Sequence, residues 1–235
     1  MSDGRRVAII TGAGSGVGRA TARRLVAAGY RVALVGRTEG TLRDTGAGLG
    51  AERDDWIAVV ADVTSDPDRA RVVSRTTEAF GRIDALVNNA GQAALRPLRD
   101  QTAEGVRSVL EINAVGPIDL AARCLRVMRG GGVVVFTSSM SARDPFPGLG
   151  VYGGAKAACN VAALAIANEE SEHGIRAYTV APGAVETAML RSLWDEGALP
   201  REKTLDPDRV AEVIAGCVTG RTDARSGETI YLPSP

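Results

Sequence analysis

Residues 7–18 read VAIITGAGSGVG, an apolar run that passes directly into a glycine-rich turn. The run 7–10 is rich in β-branched side chains, which predicts a buried β-strand, and the segment 17–28 that follows has helical spacing. Glycines let a backbone approach a ligand closely, and a helix N-terminus presents free N–H groups to an anion. The stretch therefore predicts a phosphate-binding turn, although a merely structural turn has the same pattern.

The alternation of strand and helix continues along all 235 residues. Further strands are predicted at 31–35, 57–60, 85–88, 133–137, 175–180 and 229–232. Further helices are predicted at 41–49, 67–80, 103–128, 152–172 and 207–218. We therefore expect an α/β fold, a doubly wound Rossmann-type parallel seven-stranded sheet with helices on both faces. Residues 1–235 are predicted to form a single domain, with a substrate lid at about 187–205 where Gly197 and Pro200 interrupt the pattern.

The composition favours a small-molecule partner. Acidic and basic residues both number 28, so no excess of positive charge indicates nucleic acid or an anionic membrane. The three cysteines are widely spaced and form no CxxC or Cys/His cluster, which predicts no metal site and fits a reducing compartment. The first apolar run is too short for a signal sequence or a membrane span, so we expect a cytoplasmic protein.

Tyr152 and Lys156 stand four residues apart at the start of a predicted helix, so their side chains share one face. A lysine cation held there would favour the phenolate form of the tyrosine. Such a tyrosine can give a proton to a carbonyl oxygen or take one from an alcohol. An ordinary surface pair has the same spacing, so these two residues do not decide the question alone.

Hydroxyl groups emerge nearby, because the strand predicted at 133–137 runs into the sequence SSMS at 138–141. A hydroxyl there can hydrogen-bond a substrate oxygen as charge develops on it. We select Ser139, although the residues alone do not rank it above Ser138 or Ser141. Asn113 interrupts an apolar helical stretch, and a buried amide there is either a structural bridge or part of a proton path.

Two further loops follow adjacent predicted strands. Asp62 and Val63 come after the third strand, and the sequence NNAG at 88–91 comes after the fourth. Open α/β sheets bind ligands outside the carboxyl ends of their strands. This placement predicts an adenine contact at Asp62, although a solvated loop carboxylate fits it too, and Asn89 is also a candidate turn residue.

Taken in order, these motifs resemble those of the short-chain dehydrogenase/reductase family, which carries TGxxxGxG and YxxxK motifs. The likeness extends from Val7 to Leu232. The matching motifs are TGAGSGVG at 11–18, Asp62-Val63, NNAG at 88–91, Asn113, Ser139, YGGAK at 152–156, and Pro182-Gly183 followed by Thr187. The chain departs from the family's frequent YxASK and from its VDGG ending, which here is replaced by YLPSP at 231–235.

The resemblance implies an NAD(P)-dependent oxidoreductase acting on CH–OH and C=O groups. It implies that Tyr152 is the general acid and base, and that Lys156 holds the nicotinamide ribose while favouring the phenolate. It also implies that Ser139 orients the substrate oxygen and that Asn113 holds a water linking Lys156 to solvent. The residues implied to contact the cofactor, besides Tyr152 and Lys156, are Gly12, Ser15, Gly16, Val17, Gly18, Arg37, Thr38, Asp62, Val63, Asn89, Ala90, Gly91, Pro182, Gly183, Val185 and Thr187.

The preferred cofactor is predicted from the end of the second strand, which reads GRT at 36–38. An acidic side chain there would accept hydrogen bonds from the ribose hydroxyls and repel a 2′-phosphate. Gly36 leaves that space open, and Arg37 with the Thr38 hydroxyl can bind a phosphate. We therefore expect NADP to be preferred, with NAD also accepted. Against a strong preference, Ser15 stands where many NADP-using members of the family carry a second basic residue.

The candidate substrate residues are mostly apolar, with Arg143 as a candidate anion contact. They are Gln92, Met140, Arg143, Phe146, Met189, Leu190, Leu193 and Trp194. The lid is expected to become ordered when cofactor and substrate bind. The resemblance also implies a homodimer or homotetramer formed through the helices at 103–128 and 152–172. Two alternative functions are a cofactor-binding sensor without turnover, and an isomerase or lyase that borrows hydride chemistry.

Overall fold

A computed structural model describes residues 4–50 and 53–235 of the chain. Within those ranges it contains one parallel sheet of seven strands in the order β3-β2-β1-β4-β5-β6-β7. The strands are β1 (Val7–Thr11), β2 (Arg31–Gly36), β3 (Trp56–Val60), β4 (Ala85–Asn88), β5 (Gly132–Thr137), β6 (Ile175–Pro182) and β7 (Thr229–Leu232). Every predicted strand is confirmed, and the largest difference is the end of β6, which continues two residues beyond position 180.

Helices cover both faces of the sheet. They are α1 (Gly16–Ala27), α2 (Glu39–Ala47), α3 (Asp66–Phe80), α4 (Ala103–Leu110), α5 (Gly116–Leu125), α6 (Gly150–Glu169), α7 (Ala188–Arg191) and α8 (Pro207–Thr219). Buried side chains of α1, α2 and α8 form one apolar core with alternate residues of the strands. Those of α3, α5 and α6 form a second core on the opposite face. Because strand side chains point alternately to the two faces, the near-continuous apolar runs of the sequence fill both cores.

The prediction of a single α-helix at 103–128 is wrong. The chain instead passes from α4 through a π-helical turn, Glu111–Val115, into α5. Pro117 has no N–H to donate to the preceding turn, which favours a change of helical geometry just before it. Gly116 is also crowded, since a Cβ atom on it would lie 2.5 Å from the carbonyl oxygen of Val63. The turn brings Asn113 into the interior of the protein, where it is fully buried.

The order of the strands creates the crevice in which a ligand can sit. β1 pairs with β2 on one side and with β4 on the other, so the chain winds outward in both directions from β1. At such a switch point the loops after neighbouring strands separate and leave space outside their carboxyl ends. The glycine turn after β1 and the NNAG loop after β4 flank that space.

The three cysteines are buried, as small apolar side chains are expected to be. Burial raises the pKa of the Cys124 thiol to about 12 and that of the Cys217 thiol to about 11. Thiols that stay protonated in this way are poor nucleophiles.

Candidate active site

The glycine turn after β1 is shaped for a close approach by an anion. Gly12 and Gly16 adopt positive φ angles of 66° and 49°, which favour glycine. A Cβ atom on Gly12 would lie 2.9 Å from the amide nitrogen of the Asn89 side chain, so no larger residue fits there. Ser15 is the N-cap residue of α1, but its side chain caps no N–H group of the helix. The first N–H groups of α1 therefore remain available to a phosphate.

Gly18 has a different position from the other glycines of the turn. It does not line the cavity beside the turn. A Cβ atom on it would lie only 2.2 Å from the carbonyl oxygen of Gly12, which is an impossible contact. Gly18 thus allows α1 to pack directly against the turn.

The loop after β4 is tied to the end of β1. The hydroxyl oxygen of Thr11 accepts hydrogen bonds from the backbone N–H groups of Asn89 and Ala90, at 2.9 and 3.0 Å. The side-chain amide of Asn89 donates to the carbonyl oxygen of Thr11 at 3.1 Å. These three hydrogen bonds fix the position of the NNAG loop relative to the glycine turn.

Lys156 is a buried cation, with 4% of its surface exposed. Its Nζ donates to the carbonyl oxygen of Thr137 at 2.9 Å and lies 5.6 Å from the centre of the Tyr152 ring. A lysine ammonium has three N–H donors, so two remain for a bound ligand or water. Both residues lie in the first turns of α6, which begins where the loop after β5 ends. The tyrosine and the buried cation predicted from the sequence are thus brought together.

The serines after β5 have distinct partners. The Ser138 hydroxyl is buried and donates to the carbonyl oxygen of Lys156 at 3.2 Å, so it holds α6 against the strand. The Ser139 oxygen accepts a hydrogen bond from the backbone N–H of Ser141 at 3.1 Å. The Ser139 proton remains free to be donated, and the residue lines the same cavity as Tyr152.

Asn113 lies behind the cavity and bridges backbone segments. Its amide nitrogen donates to the carbonyl oxygens of Gln92 and Val109 at 2.8 and 3.0 Å. Its side-chain oxygen accepts from the N–H of Gln92 at 3.2 Å. Gly91 separates it from Lys156, since a Cβ atom there would lie 2.7 Å from the Asn113 oxygen and 3.3 Å from the lysine Nζ. These contacts are those of a structural bridge, and the proton path through Asn113 remains a prediction.

A cavity of about 570 Å³ joins the glycine turn to Tyr152. Its walls carry the predicted residues Gly12, Ser15, Gly16, Val17, Asn89, Ala90, Gly91, Ser139, Tyr152, Lys156, Pro182, Gly183, Val185 and Thr187. Arg37, Thr38, Asp62 and Val63 lie outside it, near the carboxyl ends of β2 and β3 along the same edge of the sheet. The Asp62 carboxylate accepts hydrogen bonds from the N–H and hydroxyl of Thr64, at 2.9 and 2.8 Å.

Two of the residues proposed for the substrate pocket do not reach it. Gln92 lines a second cavity of about 190 Å³. The Arg143 guanidinium lies over the Tyr231 ring, 4.8 Å from its centre, and Arg143 does not line the large cavity. The expectation of an anion contact at Arg143 is therefore wrong. The other six, Met140, Phe146, Met189, Leu190, Leu193 and Trp194, do line the cavity.

The base of the predicted lid is held by an ion pair that the sequence analysis missed. The Glu186 carboxylate accepts hydrogen bonds from the Arg191 guanidinium and from the Thr204 hydroxyl. These donors, Arg191 above all, lower the pKa of Glu186 to about 2. Arg191 also donates to the carbonyl oxygen of Leu199 at 2.7 Å, across the lid. Spacing gave no signal for this pair, because its members stand five positions apart, which is not one of the spacings that bring side chains together on a helix.

The two ends of the lid are also joined through the backbone. The N–H of Leu205 donates to the carbonyl oxygen of Ala184 at 2.8 Å, and the N–H of Glu186 donates to the carbonyl oxygen of Leu205 at 2.9 Å. Movement of the lid is therefore expected in its outer part, about 192–200, rather than at its base.

We expect saturating cofactor and substrate together to slow cleavage of the lid by chymotrypsin at Leu193 or Trp194 by about tenfold or more, since bound ligand stabilises the covered form. The measurement is the rate of appearance of the fragments by mass spectrometry. Equal rates with and without both ligands would contradict a lid that becomes ordered on binding.

The family model described as short chain dehydrogenase matches residues 6–198. Levodione reductase of Leifsonia aquatica is 34% identical over 228 residues, covering 95% of this chain and 82% of that protein. The family model spans both the glycine turn and the Tyr152 helix.

Two solved structures also match over almost the full chain. A short chain dehydrogenase from Burkholderia cenocepacia J2315 in complex with NADP has a TM-score of 0.88 and 30% identity, covering 98% of this chain and 96% of that one. A 3-ketoacyl-(acyl-carrier-protein) reductase from Brucella melitensis complexed with NADH has a TM-score of 0.87 and 26% identity, covering 96% of both chains.

Proposed function

The chain belongs to the short-chain dehydrogenase family of oxidoreductases, and from that premise we propose that it interconverts a carbonyl compound and its secondary alcohol with NADP(H). The observation that carries the proposal is the cavity shared by Tyr152, Lys156, Ser139 and the glycine turn. One wall of this cavity suits a dinucleotide, and the opposite wall offers a proton donor.

The residues of the cavity fit a nicotinamide dinucleotide. The glycine turn and the N-terminus of α1 would hold its pyrophosphate, and the two unused Lys156 donors would hold ribose hydroxyls. When bound, the reduced nicotinamide supplies the hydride that a carbonyl carbon accepts. In our proposal the Tyr152 hydroxyl gives its proton to the carbonyl oxygen, while the Ser139 hydroxyl donates a hydrogen bond to the same oxygen. Lys156 stabilises the tyrosine oxygen once its proton has left. Alcohol oxidation reverses these transfers.

The preference for NADP is supported by the end of β2. Arg37 is exposed there, and no hydrogen bond or ion pair engages its guanidinium within the described residues. Gly36 places no side chain at this end of the strand, and a Cβ atom on it would lie 3.2 Å from Leu42. The neighbouring acid, Glu39, is held by Arg43 at 2.6 Å. A free cation beside an acid that is already paired favours a 2′-phosphate over a hydroxyl.

The experiment that tests the proposal is a panel of ketones, keto esters and secondary alcohols, followed by the absorbance of the reduced nicotinamide. We expect turnover of at least one carbonyl compound with NADPH. Binding of NADP(H) without turnover of any compound would instead favour the sensor.

We further propose that a second copy of the chain covers the outer face of α6. This helix is long and apolar enough to span a membrane by length and composition, yet only 28% of its most apolar window is buried within the chain. Val161 and Leu164 are 67% and 50% exposed on that face. No charged residue occurs between Lys156 and Glu169. The inner face of α6 packs against β5 and β6, and its first turns carry Tyr152 and Lys156 into the cavity, so the helix is part of the folded domain. The same apolar face of a second copy therefore suits its outer face better than lipid.

We expect Leu164→Glu to convert the native oligomer into a smaller species, because it places a charge at the centre of that apolar face. The measurement is molar mass by light scattering during gel filtration. Ala27→Glu, at an exposed position on α1 on the opposite side of the sheet, is the matched control and should leave the mass unchanged. A native protein that is monomeric at micromolar concentration would contradict the assembly.

A further inference from the structure

We propose that the substrate of this site is an uncharged and predominantly hydrophobic carbonyl compound, and that Asp144 excludes anionic ones. The inference rests on the proposed function and names the class of compound that the site takes. It concerns the part of the cavity beyond Tyr152, which a dinucleotide held by the glycine turn leaves open.

The walls of this part are almost entirely apolar. Met140, Phe146 and Leu149 come from the loop after β5, and Leu190, Leu193 and Trp194 come from the lid. The Phe146 and Trp194 rings meet edge to face, with centres 5.5 Å apart, so the two segments touch across the cavity. Phe146 is nevertheless 55% exposed. An apolar ligand beneath this aromatic pair would remove that surface from water, which favours its binding.

The charges of the cavity disfavour an anion. Among residues 4–50 and 53–235, the charged side chains that line it are Lys156 and Asp144. Lys156 is buried beside Tyr152 and is bonded to Thr137, on the side where the ribose would lie. Asp144 is exposed on the substrate side, where its charge repels another carboxylate.

The cations near the mouth are turned away or already paired. Arg143 lies over Tyr231, outside the cavity. Arg191 is bound by Glu186 and by carbonyl groups of the lid, and Arg201 lies 3.2 Å from Glu196. Arg96 lines the second, smaller cavity, which meets the large one at Ala93 and Tyr152, but it does not line the large one. With the cofactor ribose on Lys156, a carboxylate or phosphate entering the part of the cavity beyond Tyr152 would lose its hydration without gaining a counter-ion, and such burial is unfavourable.

The test uses a pair of aryl ketones, methyl 4-acetylbenzoate and 4-acetylbenzoate, in which the ester carries a methyl group in place of the negative charge of the acid. We expect kcat/KM with NADPH to be at least about 100-fold higher for the ester. Binding of both compounds to the NADP complex is measured in parallel by calorimetry, which needs no turnover, and the ester alone should bind. Asp144→Lys should raise the relative kcat/KM of the acid by about tenfold or more. Glu202→Lys, the same charge change on the lid outside the cavity, should leave the ratio unchanged.

The outcomes separate this inference from the proposed function. If the acid binds or reacts as well as the ester, the substrate class is wrong while the carbonyl reductase remains. If the ester binds and the acid does not, but no carbonyl compound is reduced, the class stands and the proposed function fails. If the ratio of kcat/KM for the acid to that for the ester is unchanged in Asp144→Lys, Asp144 is not the group that excludes anions. If neither compound binds, the proposed substrate class is wrong.

Discussion

Tyr152→Phe is expected to reduce kcat by about 100- to 10,000-fold, the range usual for the loss of a general acid. The substitution keeps the ring that lines the cavity and removes only the hydroxyl group. The contacts of the glycine turn and of Lys156 do not involve that hydroxyl, so the affinity for NADP(H) should stay within a few fold. The measurement is single-turnover reduction of a ketone, together with cofactor titration by fluorescence.

Tyr231→Phe is the matched control for this substitution. Tyr231 is partly buried on β7 and does not line the cavity, so loss of its hydroxyl should leave kcat nearly unchanged. Retention of more than about a tenth of the native kcat in Tyr152→Phe would remove Tyr152 from the proton-transfer role, given the magnitude expected of such catalysis.

Arg37→Ala is expected to lower kcat/KM for NADPH by roughly 10- to 100-fold while leaving the value for NADH almost unchanged. One charge-assisted contact to a phosphate contributes about 1.5–3 kcal/mol, which corresponds to that factor. Arg37 is exposed, so part of this energy is screened by solvent and salt, and the lower end of the range applies at physiological ionic strength.

The ratio of kcat/KM for NADPH to that for NADH is the quantity to compare between native protein and variant. Arg23→Ala, which removes an exposed cation from α1, is the control and should leave the ratio unchanged. If Arg37→Ala also leaves it unchanged, Arg37 does not contact the 2′-phosphate.

The sheet could be predicted from the sequence because its strands are buried on both faces. In the sequence such strands appear as short apolar runs between turn residues, and β1 followed by the glycine turn is the clearest case. The break between α4 and α5 was missed because hydrophobic spacing continues through it. Gly116 and Pro117 were the available signal, but the cause of the break includes a contact with Val63 from a distant part of the chain.

The residues near the reacting groups could be predicted because motifs fix them at the ends of particular strands. Tyr152 and Lys156 share one helix, so their separation follows from helical geometry. Whether Arg143 and Gln92 reach the large cavity could not be predicted, because the position of each depends on a neighbour that is distant in sequence. Arg143 meets Tyr231 of β7, and the Gln92 backbone is held by Asn113. A further partner of Glu186, the Thr204 hydroxyl, is likewise distant, 18 positions along the chain.

The most direct test of the account follows the hydride itself. The native protein is incubated with a neutral aryl ketone and, in separate reactions, with NADPH carrying deuterium on one or on the other face of C4 of the nicotinamide, and the alcohol is examined by mass spectrometry and NMR. We expect a single deuterium on the carbinol carbon, transferred from one face of the nicotinamide only, with one cofactor oxidised per alcohol formed. Cofactor that binds but yields no deuterated alcohol for any carbonyl compound in the panel, or a product formed without net oxidation of the cofactor, would contradict the assignment as a carbonyl reductase.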